Sequence, residues 1–394
     1  MKKIIYLILV MLVSNLYAEN KQDEFNTNIL EELNEQIRNC NIDNDYEKGI
    51  KIGENALVFA KKSHLENSQS IGDTYLELAN IHYYNHQYEL AKTYYNNSLK
   101  IYIFPSNKDN KQVGHIINGL GNVAEAQTNY DEAIRLYKKA INIFEKDKNM
   151  ISVAITTSNI ADIYVLQSEY KKAEPLYKRA IDITIKIEGQ DSIETINRKI
   201  DLAELYLEDK KYNKAEPIFI KAKKILEAKI DKNNNELGIL ALVTQDLGVL
   251  KYHQKRYDEA IVFYKNSIEI REKMPSPNTS AISTTLNNLA MVYQNQSLYR
   301  EAEEMHKKSI AFAEKSLEAN DPDLAISYRN IGLLYDEMNL TEKAIVEYEK
   351  AFSIYETALG LDDPNTQMTL RELIDLYYEV DKIEKAQALE LKLR

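Results

Sequence analysis

The residues of this chain that could do chemistry are six histidines, a single cysteine and many acids. His82 and His86 stand four apart, the spacing that puts two imidazoles on one helix face as a bidentate metal site requires. Ser168-Glu169-Tyr170-Lys171 has the Ser-x-x-Lys spacing of a serine nucleophile with a lysine base, and Glu301, Glu303 and Glu304 gather three carboxylates in a short span. None of these is completed by its surroundings. The Ser-Asp-Asn and Lys-Thr-Gly companions of the serine motif are absent, there is no Gly-x-Ser-x-Gly elbow, and Gly119-Leu120-Gly121 forms no phosphate-cradling loop. The acids read as a solvated helix face. His82 and His306 fall where tyrosines stand elsewhere in the pattern described below, which reads as packing. The expectation is a non-enzymatic protein with no catalytic residues, no metal ligands and no cofactor, a metal-binding or hydrolytic protein being the remote alternative. Cys40 has no partner for an intramolecular disulfide and reads as a small buried apolar residue.

The elements that would have to position any site are helices. Of 394 residues only 11 are Gly and 7 Pro, a supply too small for a many-stranded fold and its turns, while 44% hydrophobic content is ample for a core. The 28 Tyr stand against 8 Phe and no Trp. The formal charge of −11 and the interleaving of every basic run with acids exclude nucleic-acid binding driven by counterion release. Met1-Lys2-Lys3, the apolar run Ile4 to Val13 and Ala18 before polar Glu19 read as a signal peptide over residues 1–18, with a short tail over 19–25. The apolar run is about half the ~20 residues of a spanning helix. Export to a bacterial periplasm is the expectation, with an uncleaved anchor in the inner membrane as the alternative.

From residue 26 to 394 the sequence repeats. Asn288-Leu289-Ala290-Met291-Val292-Tyr293 before Tyr299-Arg300-Glu301-Ala302 matches Asn159-Ile160-Ala161-Asp162-Ile163-Tyr164 before Tyr170-Lys171-Lys172-Ala173. First anchors fall at 37, 79, 121, 161, 203, 248, 290, 332 and 374, spaced 42, 42, 40, 42, 45, 42, 42 and 42. In each unit a second small or apolar anchor follows 12 residues later, and both stretches carry apolar residues at i, i+3, i+4 and i+7. Each unit is therefore a helical hairpin, with small residues where two helices cross closely and Tyr filling the adjoining gaps. Asp321-Pro322 and Asp363-Pro364 read as an N-cap followed by Pro at the first helical position, and Gly189 and Gly360 as helix stops.

These residues, with Ala173-Glu174-Pro175-Leu176-Tyr177-Lys178-Arg179-Ala180, resemble the tetratricopeptide repeat in the long variant of kinesin light chains and many bacterial proteins. The usual early Trp and the terminal Pro of the shorter repeat are missing, and the first and last units depart most, as capping units do. The resemblance implies an all-α, right-handed α-solenoid superhelix of about nine hairpins. It also implies that first helices line a concave groove that binds proteins or peptides.

Function is then expected in that groove. The residue after each first anchor gives one inward row, Asn80, Asn122, Asp162, Glu204, Val249, Met291, Leu333 and Asp375. The residue four earlier gives another, Leu76, Asn118, Ser158, Ile200, Gln245, Asn287, Arg329 and Arg371. An Asn amide can pair with both backbone groups of an extended peptide, and an Arg fork fits a carboxylate. The predicted partner-binding residues are Asn80, Asn122, Gln245, Asn287, Met291, Arg329, Leu333 and Arg371, and the predicted partner is an extended segment with an acidic group and an apolar anchor.

Overall fold

A computed structural model describes residues 2–65, 67–104, 110–230 and 232–393, with side chains described from residue 21 onward except at 66, 110 and 231. The expected signal peptide over residues 1–18 lies outside the described side chains, as does Pro105. Among the described residues there are eighteen helices and no strands, and no helix is long and apolar enough to cross a membrane. Residues 21–25, expected as a tail, continue the first helix.

The chain forms two compact units, residues 1–198 and 199–394. In the first, α1 (Lys2–Ile42) pairs with α2 (Tyr46–Lys62), α3 (Gln69–Tyr84) with α4 (Tyr88–Tyr102), α5 (Asn110–Ala126) with α6 (Tyr130–Lys146), and α7 (Met150–Leu166) with α8 (Tyr170–Glu188). Helix α9 (Ile193–Glu208) contains the division point. In the second unit α10 (Tyr212–Ala228) is followed by the pairs α11 (Asn234–His253) with α12 (Tyr257–Glu272), α13 (Thr279–Asn295) with α14 (Tyr299–Ser316), α15 (Pro322–Glu337) with α16 (Thr341–Leu359), and α17 (Pro364–Glu379) with α18 (Ile383–Glu390). The 42-residue period is thus a period of hairpins.

The small anchors do what their spacing predicts. Ala79, Ala161, Ala203 and Ala290 are fully buried, and at Gly121 a Cβ would stand 2.5 Å from the Tyr137 ring. Tyrosines of the first helices are covered instead by lysines of the second: Lys172 lies over Tyr164 at 5.2 Å, Lys214 over Tyr206 at 4.9 Å and Lys385 over Tyr377 at 5.1 Å. Asp321 and Asp363 cap α15 and α17 through Asp323 N–H and Asn365 N–H, each at 2.8 Å, with the prolines next in line. Gly189 and Gly360 end α8 and α16 at φ +93° and +82°.

The scarcity of glycine has a structural counterpart inside the hairpins. Each first helix ends on a left-handed residue that is not glycine: Asn44, His86, Thr128, Ser168, Lys210, Lys255, Ser297, Asn339 and Asp381, with φ between 55° and 60°. The amide of the next residue donates back over five positions, as Gln87 does to His82 O at 2.8 Å and Asn129 to Ala124 O at 2.8 Å. That bond satisfies a carbonyl the helix end would otherwise orphan.

Candidate functional site

Tyrosine hydroxyls decide much of the first-helix surface. The second-helix tyrosines that fill gaps beside small anchors, Tyr95, Tyr137, Tyr177, Tyr264 and Tyr348, are buried, and a buried hydroxyl needs an acceptor. In the first unit the residue after the anchor supplies it. Tyr95 donates to Asn80 Oδ1 at 2.7 Å, Tyr137 to Asn122 Oδ1 at 2.7 Å, and Tyr177 to Asp162. Asn80 also donates to Glu77 Oε2 at 3.4 Å, and Tyr137 also reaches Glu125 Oε2 at 2.6 Å. The predicted residues Asn80 and Asn122 therefore hold the hairpin's own tyrosine.

The second predicted row stitches neighbouring first helices. Asn118 Oδ1 accepts from Thr156 at 2.9 Å, and Gln245 Oε1 from Thr285 at 2.6 Å and from Arg271 Nη2 at 3.3 Å. Asn287, only 7% exposed, donates to Ser327 Oγ at 3.1 Å and accepts at Oδ1 from His306 Nδ1 at 2.9 Å. Arg329 is bound by both carboxylate oxygens of Glu372, at 2.9 and 2.5 Å. The inward positions thus carry packing duties of their own. The amide of Asn287 and the fork of Arg329, as placed, are occupied by the chain itself, so neither is an open grip for a peptide or a carboxylate. Arg371 is exposed and makes no hydrogen bond or ion pair among the described residues. Leu333 is partly buried against the core of the second unit, and Met291 is 41% exposed.

In the second unit the same slot is polar at Glu204 and Asp375 and apolar between them, with Val249, Met291 and Leu333. The position six residues before a first anchor was missed by the sequence reading: in the second unit Leu242 is 37% exposed, Ile326 44% and Met368 40%, with Thr284 between them, and in the first unit Ile155 at the same place is 39% exposed. Its signal was an apolar residue at one fixed place in three of the second unit's repeats, one turn N-terminal to the rows named above. Together with Met291 these residues give the second unit an apolar first-helix face.

Buried ionisable groups on these helices are displaced. Burial pushes the Glu77 carboxyl up to about 7 against the pull of Arg38, and the Asp162 carboxyl to about 6 against the Tyr177 hydroxyl. Burial also raises Glu125, and moves Asp246 well above the usual carboxylate range. His306 is driven down to about 4 by burial, and its bond to a carbonyl oxygen places the ring proton on Nδ1. His82 and His86 do not share a helix face, because α3 ends at Tyr84 and His86 takes the left-handed turn position. His82 stacks on Tyr94 with centroids 5.1 Å apart, and His86 meets the Tyr88 hydroxyl at 3.0 Å. Cys40 is buried.

No curated protein matches the chain. Among solved structures, the apo form of the quorum sensor NprR from B. thuringiensis is similar at 17% identity and TM-score 0.58, over 92% of this chain and 97% of that one. Aspartyl phosphate phosphatase F from Bacillus subtilis is similar at 18% identity and TM-score 0.56, over 93% of each chain. A Rap protein complexed with Competence and Sporulation Factor is similar at 16% identity and TM-score 0.56, over 93% of this chain and 97% of that one. At these identities the likeness is one of fold. Tetratricopeptide repeat profiles match residues 70–146, 152–228 and 281–357, and a further one residues 240–274. With hairpins, anchors and profile matches in one register over well more than half its length, the chain belongs to the tetratricopeptide repeat family.

Proposed function

We propose that the protein is a non-enzymatic interaction scaffold that binds an extended peptide or protein segment across the first-helix face of its second unit. The observation that carries this reading is the set Leu242, Met291, Ile326 and Met368, exposed by 37–44% on helices where Gln245, Asn287 and Arg329 are bound to other groups of the chain. A recurrent set of exposed apolar residues is costly in water and marks an interaction surface. The similar Rap protein was solved with Competence and Sporulation Factor, which agrees with a binding role for such a solenoid. Glu77, Glu125, Asp162 and His306, whose titration is displaced, are held by tyrosine and amide partners of the same hairpins, which suits packing better than turnover.

The site of action we infer is the bacterial periplasm, from Met1-Lys2-Lys3, the apolar run Ile4 to Val13 and Ala18. Mass measurement of the mature protein tests that part: loss of residues 1–18 is expected, and an intact N-terminus indicates the membrane-tethered alternative. The binding face is tested by partner capture with an Ile326→Glu/Met368→Glu variant. Loss of capture with unchanged helicity is expected, and capture equal to wild type overturns the reading.

A further inference from the structure

Asp246 is the anomaly of the second unit. It lies on α11 between Leu242 and Val249, at i+4 and i−3, and so on the same helix face as both. Its side chain is only 8% exposed, yet among the described residues it makes no hydrogen bond or ion pair, and its Oδ2 is buried without a partner. Buried carboxylates ordinarily accept several hydrogen bonds. The groups that act on it are Glu204 from α9 and Tyr264 and Arg271 from α12. Arg271 does not satisfy it, because its Nη2 donates to Gln245 and its buried Nε has no partner. Asp246 is thus a buried, unpartnered carboxylate one turn along α11 from exposed Leu242, and the Glu204 carboxylate is near enough to act on it electrostatically.

We propose that Asp246 and Glu204 form a seat for one basic side chain, a guanidinium or ammonium, of the segment bound on this face. The proposal rests on the reading of that face as the binding surface and replaces the acidic partner expected from sequence with a cationic one. An arriving cation supplies the hydrogen-bond donors that Asp246 lacks, while its aliphatic stem lies against Leu242 and Val249. Burial and Glu204 both favour the protonated form of Asp246, so seating the cation expels one proton to solvent. Binding therefore strengthens as pH rises.

The test is calorimetry on the full chain with acetyl-Leu-Arg-Leu-Ala-amide and its citrulline counterpart, which keeps the shape and loses the charge. The arginine peptide is expected to bind at least tenfold more tightly, to bind more tightly at pH 8 than at pH 6, and to release about one proton when compared in buffers of different ionisation enthalpy. Asp246→Asn removes the preference and the proton release. Glu204→Gln, at a partly exposed position, reduces both and serves if the first variant does not fold. Equal affinity for the two peptides, or a preference that survives Asp246→Asn, overturns the seat and leaves the binding face standing. Failure of both peptides to bind also overturns the seat, and the face is then judged by the Ile326→Glu/Met368→Glu capture alone.

Discussion

The Tyr137 hydroxyl donates to Asn122 Oδ1 at 2.7 Å, joining α6 to the residue that follows the small anchor Gly121 of α5. The same bond recurs as Tyr95 with Asn80 and Tyr177 with Asp162. It accounts for the polar residues Asn80, Asn122 and Asp162 in this slot of the first unit. Tyr137 also has Glu125 as an acceptor, whereas Tyr95 has Asn80 alone among the described residues, so Asn80→Leu leaves a buried hydroxyl unsatisfied at a cost of about 1–3 kcal/mol. Adding Tyr95→Phe should recover part of that loss, measured by urea unfolding; additive losses would contradict the pairing.

Two glycines at equivalent anchors should respond differently to alanine. At Gly121 the added Cβ would sit 2.5 Å from the Tyr137 ring, whereas at Gly332 the nearest atom of Tyr348 is 3.2 Å away. Gly121→Ala should destabilise by roughly 1–2 kcal/mol through overpacking. Gly332→Ala should be near neutral, because a gain of up to about 1 kcal/mol in helix propensity offsets a small adjustment. Thermal unfolding of the two variants checks the order.

The first unit should grow more stable as pH falls from 7 toward 4.5. Glu77 titrates near 7 when folded against 4.5 for an ordinary glutamate, and Asp162 near 6 against 3.8, so the folded state binds more protons in this window. Their stabilising contribution is fully present below the unfolded values and lost as pH rises through the folded ones. Each pKa unit is worth about 1.4 kcal/mol, so Glu77→Gln should raise stability at pH 8 by up to a few kcal/mol and flatten the profile. Arg38, which pulls the other way at 3.5 Å, trims the effect. Amide exchange in α3 between pH 5 and 8 reads it, and stability rising with pH would contradict it.

Arg329 and Glu372 should behave as a structural pair. Both are largely shielded, at 19% and 26% side-chain exposure, so removing either partner should cost about 1–3 kcal/mol. The exchanged pair Arg329→Glu/Glu372→Arg should recover most of the loss relative to Arg329→Glu. Equal stability of all three variants would show that the pair contributes nothing.

Sequence alone carried the period, the small anchors, the tyrosine gaps and the proline-capped helix starts, because each follows from local spacing and a single packing rule. The left-handed turn residues were not legible, since Lys210, Lys255 and Thr128 carry no turn signature and are held there by backbone bonds of the hairpin. The roles of Asn287 and Arg329 were not legible either. An amide or guanidinium pairs equally well with a peptide or with the next repeat, and only the register of α13 against α15, and of α15 against α17, brings Ser327 and Glu372 within reach. The bondless state of Asp246 depends in the same way on where Arg271 sends its donors.

The most direct measurement is photocrosslinking in cells, with benzoylphenylalanine placed at Ile326 or Met368 on the first helices and at exposed Val262 on α12 as the comparison. The account predicts partner adducts from 326 and 368 and none from 262. Adducts from 262 alone, or the same adducts from all three positions, would contradict it.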